Sequence, residues 1–521
     1  MLKSIGVKNY RTFPQGQDFE LAPITILLGA NSSGKSSITR LLPLFSQSLS
    51  QRASGPILWV SDNLDYGSFL DNVHNHDVDR NITFSFSGTM RPPERRRRFQ
   101  FGGSDNPKID YKYELSMTGD GNSTTVSCIS ITIHDSEIRF PVAPDSMVSK
   151  VLLNGEPIEV LEGKKILVQA GLFPQMYIVN PADGRLEIVA KDNFARDAAK
   201  ILRSYAHQNT TLDKIVSILF SSEFLSPTEF FPELEKHAYP VPSLKRRIKS
   251  VTPKSKSRVW AFMFMSLLDE VINCVKESVS SDISAGAYLG PIRARASRYY
   301  RRQELAVDQI DPSGENLAMY LNALMPHERE EINKDISRFF GHKIKVHGGE
   351  GHISIRIIKD GDDHEDNLAD VGFGFSQLLP VIAQVHAAGR TFRRFGHRAA
   401  HAQRPESPIL AVEQPELHLH PAYQSKLGAY FVHAATKKIN GTPPFRFVIE
   451  THSEPLVNEI ASQVATGKIP AESVRIYLFE RPSGEADTKI VRAEVKDDGS
   501  IPNWPFGFFT SGKINRPGAN T

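Results

Sequence analysis

The chain has 521 residues, 40% of them hydrophobic and 23% charged, with a net charge of +3. At about 150 residues per domain this implies roughly two to four lobes of ordinary globular composition, and the charge is too small to demand a polyanionic partner. Cys128 and Cys274 are the only cysteines, which excludes a disulfide framework or a cysteine-based zinc site and fits a reducing compartment. The N-terminus "MLKSIGVKNYRTF" has no apolar core of signal-peptide length. The apolar run "VWAFMFMSLLDEVI" is interrupted by Asp269 and Glu270 and reads as a core helix too short for a bilayer. The expectation is a cytoplasmic protein with no membrane partner.

In chain order, "LKSIGVKNYRTF" alternates as a strand, "APITILLG" is a short apolar strand, and "GKSSITRLLPLFSQSL" has helical periodicity. From about Asn81 to Ala170 short alternating runs such as "NITFSFSG" and "YKYELSMTG", separated by Gly, Asn and Asp, predict an antiparallel meander. From about Asn193 to Val279 helical patterns dominate ("ARDAAKILRSYAHQ", "DKIVSILFSS", "FMFMSLLDEVINCVKESV"). The polar, basic "VPSLKRRIKSVTPKSKSR" between them is expected to be a surface loop. From "AYLGPI" the pattern is mixed α/β. The strands "PILAVE" and "FRFVIE" each precede a polar motif, and "VRIYLFERP" with "TKIVRAEV" reads as a hairpin. The segments drawn are 1–80 (first part of a nucleotide-binding core), 81–190 (β lobe), 191–285 (helical insertion) and 286–521 (second part of the core).

"GANSSGKS" (Gly29 to Ser36) fits G-x-x-x-x-G-K-[ST] between a strand and a helix, the context that a phosphate-binding loop requires. Gly29 and Gly34 let several backbone N–H groups converge, and the helix start adds the positive end of its dipole. Lys35 is placed to reach β- and γ-phosphates and the Ser36 hydroxyl to ligate Mg²⁺, so ATP and Mg²⁺ are the expected ligands. Asn31, Ser33 and Ser37 complete the candidate contacts.

The chain resembles a known lineage. "NSSGKSS" preceded by "VKNYRTF" looks like the ABC-type ATPases of the RecF and structural-maintenance-of-chromosomes group. "DVGFGFSQLLPVI", "AVEQPELHLHP" and "FVIETHSEPLV" resemble the overcoming-lysogenisation and Septu-type bacterial defence ATPases, and "DGSIPNWPFGFF" a C-terminal element of some of these. The resemblance covers about Met1–Asn81 and Tyr288–Thr521. It implies an α/β fold: an ABC-type P-loop NTPase core with an antiparallel β subdomain and a helical insertion. It also implies a composite site in a homodimer or higher homo-oligomer.

The same resemblance assigns roles. Glu413 ends an apolar strand at the sheet edge where α/β folds bind ligands, and is the candidate metal residue, in a position where the family usually has Asp. Pro415 sets the register, so Gln414 stands at the usual general-base position. An amide is a poor proton acceptor, which makes Glu416 the nearest carboxylate candidate and turnover slow. His452 in "ETHSE" matches a switch histidine facing the γ-phosphate. "VGFGFSQ" stands where a signature loop addresses the opposite subunit; Gly372, Gly374, Ser376 and Gln377 are its candidate contacts.

Other clusters are less specific. "HLH" (His418, His420) lacks a third ligand and suits an interface contact, and "HNHD" (His74 to Asp77) lacks the spacing of a nuclease. The arginines of "GPIRARASRYYRR" suit phosphates, acidic side chains or a solvated face equally. "RRRR" (Arg95–Arg98) and "KRRIK" (Lys245–Lys249) make nucleic acid a candidate partner. Too few residues follow His452 for a toprim nuclease, so a nuclease or toxin effector is expected in trans. The leading expectation is a slow ATPase serving as sensor or scaffold in anti-phage defence. The alternatives are a DNA-clamping repair or chromosome ATPase and an assembly protein with negligible turnover.

Overall fold

The hexad Ile24–Gly29 is buried at every position. In the computed structural model it is an inner strand of a six-stranded sheet, ordered Ala287–Leu289, Ile409–Glu413, Arg446–Glu450, Ile24–Gly29, Val474–Glu480, Lys489–Ala493. All neighbours are parallel except the last pair, which forms the expected hairpin. The three strands Ile24–Gly29, Ile409–Glu413 and Arg446–Glu450 are apolar without alternation because both faces of a parallel sheet are covered. The structure describes residues 1–504 apart from 52, 62–63, 92–107, 162, 180–185, 189–190, 223–225, 304–306, 399–406, 439–444, 482–486 and 503.

The chain divides into two units, Met1–Phe19 with Leu44–Ser280, and Glu20–Pro43 with Ser281–Thr521. Residues 1–80, one segment in the sequence reading, are thus shared between the units. The second unit holds the six-stranded sheet. Its apolar core joins Ile24, Ile26 and Leu28 to residues of the helices Pro326–Phe340, Phe373–Arg398, Pro421–Thr436 and Glu454–Ala465. It also carries a small antiparallel sheet built on His342–Gly349 and His352–Lys359.

The first unit contains the expected antiparallel meander. Eight strands order as Glu156–Ile158, Val151–Leu153, Ser136–Pro141, Thr124–Ile133, Ile109–Gly119, Ile82–Met90, Leu2–Lys8, Gln17–Glu20. Ile109–Gly119 alternates buried and partly exposed positions, the pattern of a sheet with one covered face. That face carries an aromatic cluster in which Phe45 packs edge-on against Phe84 and Phe86 at 5.1 and 4.9 Å. A second, four-stranded sheet reaches to Ile188, past the meander expected to end near Ala170 but within the β lobe drawn to 190.

The helical block differs from expectation at one place. "VPSLKRRIKSVTPKSKSR" is not a loop: Pro242–Arg247 is an α-helix, Ile248–Ser250 a 3₁₀ turn, and a 32-residue helix begins at Pro253. Val241, Leu244, Ile248 and Val251 are buried at helical spacing, and each helix starts with a proline where no N–H is needed. The fold class is as expected: an α/β core with an antiparallel β lobe and a helical insertion. Among the described residues no helix is long and apolar enough to cross a membrane. Arg95–Arg98 lies outside the described residues.

Candidate nucleotide-binding site

The loop after the Ile24–Gly29 strand is shaped by close packing. A side chain at Gly29 would meet the Phe479 carbonyl at 2.5 Å, and Gly34 has φ 92°, in the left-handed region that glycine tolerates. The helix that follows is Lys35–Thr39, and a second helix, Leu41–Ser50, starts after Arg40. Pro43 explains the break, because it has no N–H to donate to the Thr39 carbonyl. The terminal hairpin braces the loop: Thr488 Oγ1 donates to the Ser33 carbonyl at 2.9 Å and Arg481 to that of Ser32 at 3.2 Å.

Lys35 is buried and donates to the carbonyls of Gly29 and Ala30 at 2.9 and 2.7 Å. Burial lowers its pKa, against the pull of Glu450 and Glu416. The Ser36 hydroxyl donates to Glu450 Oε1 at 2.8 Å and Thr39 Oγ1 to Oε2 at 3.3 Å. Burial and the nearby Glu413 push the Glu450 carboxyl up to about 7, against the Ser36 hydrogen bond. Asn31 is exposed, while Ser33 and Ser37 are buried.

Glu413 does not sit against Ser36. It is 1% exposed, and both of its oxygens are engaged. Arg40 grips it as a fork, Nε to Oε1 at 2.8 Å and Nη2 to Oε2 at 3.0 Å, and the Tyr288 hydroxyl donates to Oε1 at 2.9 Å. The pair raises the Arg40 pKa, chiefly through the hydrogen bond to Glu413. The expected metal residue is therefore committed to a guanidinium and a phenol, because a carboxylate accepts a planar fork more strongly than a single neutral donor.

Gln414 follows with φ 41°, its N–H donating to the Glu450 carbonyl at 2.7 Å. Glu416 is 7% exposed; Oε1 accepts the His452 N–H at 2.7 Å, and Oε2 has no hydrogen-bond partner. Burial raises the Glu416 pKa, against hydrogen bonds from the His452 and Glu416 backbone. Arg293, from the "GPIRAR" cluster, is 3% exposed and donates Nη2 to the Glu413 carbonyl at 2.8 Å. Its Nε and Nη1 have no partner, and burial pushes its pKa down to about 10. His452 Nε2 and Ser33 Oγ are likewise buried without partners. Burial and the charge of Lys35 lower the His452 pKa.

The structure thus brings Lys35, Ser36, Glu413, Glu416 and His452 to one end of the sheet. It adds Arg40, Tyr288, Arg293 and Glu450, which the sequence reading left without individual roles. "ETHS" was the available signal for Glu450 and the arginine cluster that for Arg293. The signature-like residues divide. Gly372 is exposed and Gly374 half-buried, with a Cβ there 3.4 Å from the His418 carbonyl. Ser376 and Gln377, the candidate side-chain donors of this motif, are buried in the first turn of Phe373–Arg398. Arg298 pairs with Asp370 at the start of that motif at 2.5 Å.

Neither histidine pair forms a metal site, and among the described residues no group of three His, Cys, Asp or Glu could hold an ion. His420 caps the Pro421–Thr436 helix, accepting from the Ala422 N–H, and His74 bonds the Arg11 carbonyl at 2.7 Å. At the phosphate loop the Ser36 hydroxyl and the Glu450 carboxylate are hard oxygen donors side by side. They suit Mg²⁺, which takes one or two protein oxygens beside phosphates and waters.

A family described as AAA ATPase domain matches residues 1–91 and 197–457, more than half of the chain and all of this cluster up to His452. The chain belongs to that AAA ATPase family. No curated protein matches it. Solved structures similar to this ATPase include the Smc head domain bound to the C-terminal domain of ScpA from Pyrococcus furiosus, at 10% identity, 95% of this chain, 96% of that one and a TM-score of 0.33. The SMC head domain from Thermotoga maritima follows at 11%, 95%, 99% and 0.32.

Proposed function

We propose that the chain binds Mg-ATP at the Gly29–Ser36 loop in an ABC-type composite site and hydrolyses it slowly. The observation that carries this reading is the buried pair of unfinished groups past the sheet edge, Glu416 Oε2 and the Arg293 guanidinium, next to an amide at position 414. Lys35 leaves the loop carbonyls for the β- and γ-phosphates. Bound at Ser36, Mg²⁺ would neutralise phosphate charge as it develops. Glu416 takes the proton of the attacking water on Oε2 while the His452 N–H holds Oε1 in place. The Arg293 charge opposes the burial that raises the Glu416 pKa, and its guanidinium fixes the Glu413–Gln414 backbone. His452 Nε2 reads the γ-phosphate. Slow turnover gives a long-lived ATP-bound dimer, the state suited to a sensor or scaffold. The resemblance of "AVEQPELHLHP" and "ETHSE" to defence ATPases supports such a role in anti-phage defence, with a nuclease or toxin effector in trans.

Steady-state ATPase measurement on the full chain tests the reading. Lys35→Ala is expected to abolish nucleotide binding or turnover with the circular dichroism spectrum unchanged; equal activity in the variant places the site elsewhere.

A further inference from the structure

The two acids at the C-terminal ends of neighbouring strands, Glu413 and Glu450, have different surroundings. Glu413 is paired in register with Glu450, and Glu450 with Leu27 of the phosphate-loop strand. The Arg446–Glu450 strand therefore lies between the other two, which puts Glu450 one strand from the loop, about 4.8 Å, and Glu413 two strands away. The geometry points to Glu450, not Glu413, as the carboxylate that holds the metal at Ser36. This rests on the ATPase reading above and names a residue for it.

Glu450 is 3% exposed, and among the described residues its two oxygens accept from hydroxyls one turn apart, Ser36 at 2.8 Å and Thr39 at 3.3 Å. A hydroxyl is both donor and acceptor and rotates freely about its C–O bond. Ser36 can turn its proton to Glu450 and offer a lone pair to a cation without breaking a bond. Thr39 has one hydroxyl proton to share between the second oxygen and the Lys35 carbonyl, each at 3.3 Å. Glu413 has no such freedom. Moving it over to Ser36 would break a charge-assisted bidentate fork and a phenol hydrogen bond together. Its place in the structure is that of an anchor, tying Arg40 at the helix break to Tyr288 of the edge strand.

The test is an electron paramagnetic resonance titration of Mn²⁺ into the full chain with a saturating non-hydrolysable ATP analogue, beside fluorescent-nucleotide binding in EDTA. Glu450→Gln is expected to weaken Mn²⁺ binding by at least about 10- to 100-fold, the loss already usual for a residue that only orients a metal ligand, while metal-free nucleotide binding persists. Glu450→Asp draws the carboxylate back by one methylene and is expected to give a smaller loss in the same direction. It serves as the test if Glu450→Gln fails to fold. Glu413→Gln is expected to lower the melting temperature through loss of the Arg40 fork. Unchanged Mn²⁺ affinity in the Glu450 variants, or a larger loss in Glu413→Gln than in Glu450→Gln, overturns the assignment. A wild-type chain that binds no nucleotide overturns this inference and the ATPase reading together; nucleotide binding with a Glu450-independent metal overturns this inference alone.

Discussion

At the scale of single residues, the proposed hydrolysis turns on one amide and one acid. Gln414 occupies the position where a base is expected, with its backbone in the left-handed region and its N–H held by the Glu450 carbonyl. An amide orients water but takes no proton, and a positioned base contributes about 10²–10⁴-fold. Glu416→Gln is therefore expected to lower kcat by about that factor with nucleotide affinity retained. Gln414→Glu is expected to raise kcat by placing a carboxylate at the strand end. Single-turnover and steady-state assays read both. If the wild type turns over at a rate neither substitution changes, the base lies elsewhere.

At the scale of elements, the site depends on where strand and helix ends are pinned. The strand carrying Glu450 begins at Arg446, which is 4% exposed and donates to Asp282 Oδ2 at 2.7 Å and to the Ser407 carbonyl. Asp282, fully buried near the end of the Pro253–Ser284 helix, also accepts from the Ser407 N–H. This pair ties that helix end to two neighbouring strands. Removing one member leaves a buried charge uncompensated, so Asp282→Ala is expected to cost about 3–5 kcal/mol in denaturant unfolding of the full chain. The basic stretch between Val241 and Arg258 carries the same lesson from the other side. Its four buried apolar residues are spaced for a helix, but lysines and arginines between them mask the pattern when residue type is averaged along the chain.

At the scale of the whole molecule, one chain carries one phosphate loop and one "VGFGFSQ" motif. The composite-site reading has the two meet across copies. Mg-ATP is then expected to shift the protein from monomer to dimer in sedimentation velocity at micromolar concentration. A strict monomer with nucleotide bound would end that reading. The Lys35→Ala chain, unable to hold the nucleotide, is expected to stay monomeric under the same conditions.

The phosphate loop was legible in the sequence because its chemistry is local. Eight consecutive residues supply the glycines, the lysine and the serine, and no distant partner is needed to recognise them. The strands before "EQPE" and "ETHS", the meander and the terminal hairpin were legible for a similar reason, since burial on one or two faces leaves a periodic trace in the chain. The roles of the acids were not. Which carboxylate faces Ser36 depends on strand order, which brings residue 450 beside residue 27 and sets residue 413 one strand further out. It depends also on competition for the same oxygens by Arg40 and Tyr288, side chains 373 and 125 residues away in sequence. Only tertiary structure decides such a contest, because hydrogen bonds go to the donors that folding brings within reach, and separation along the chain carries no record of that distance.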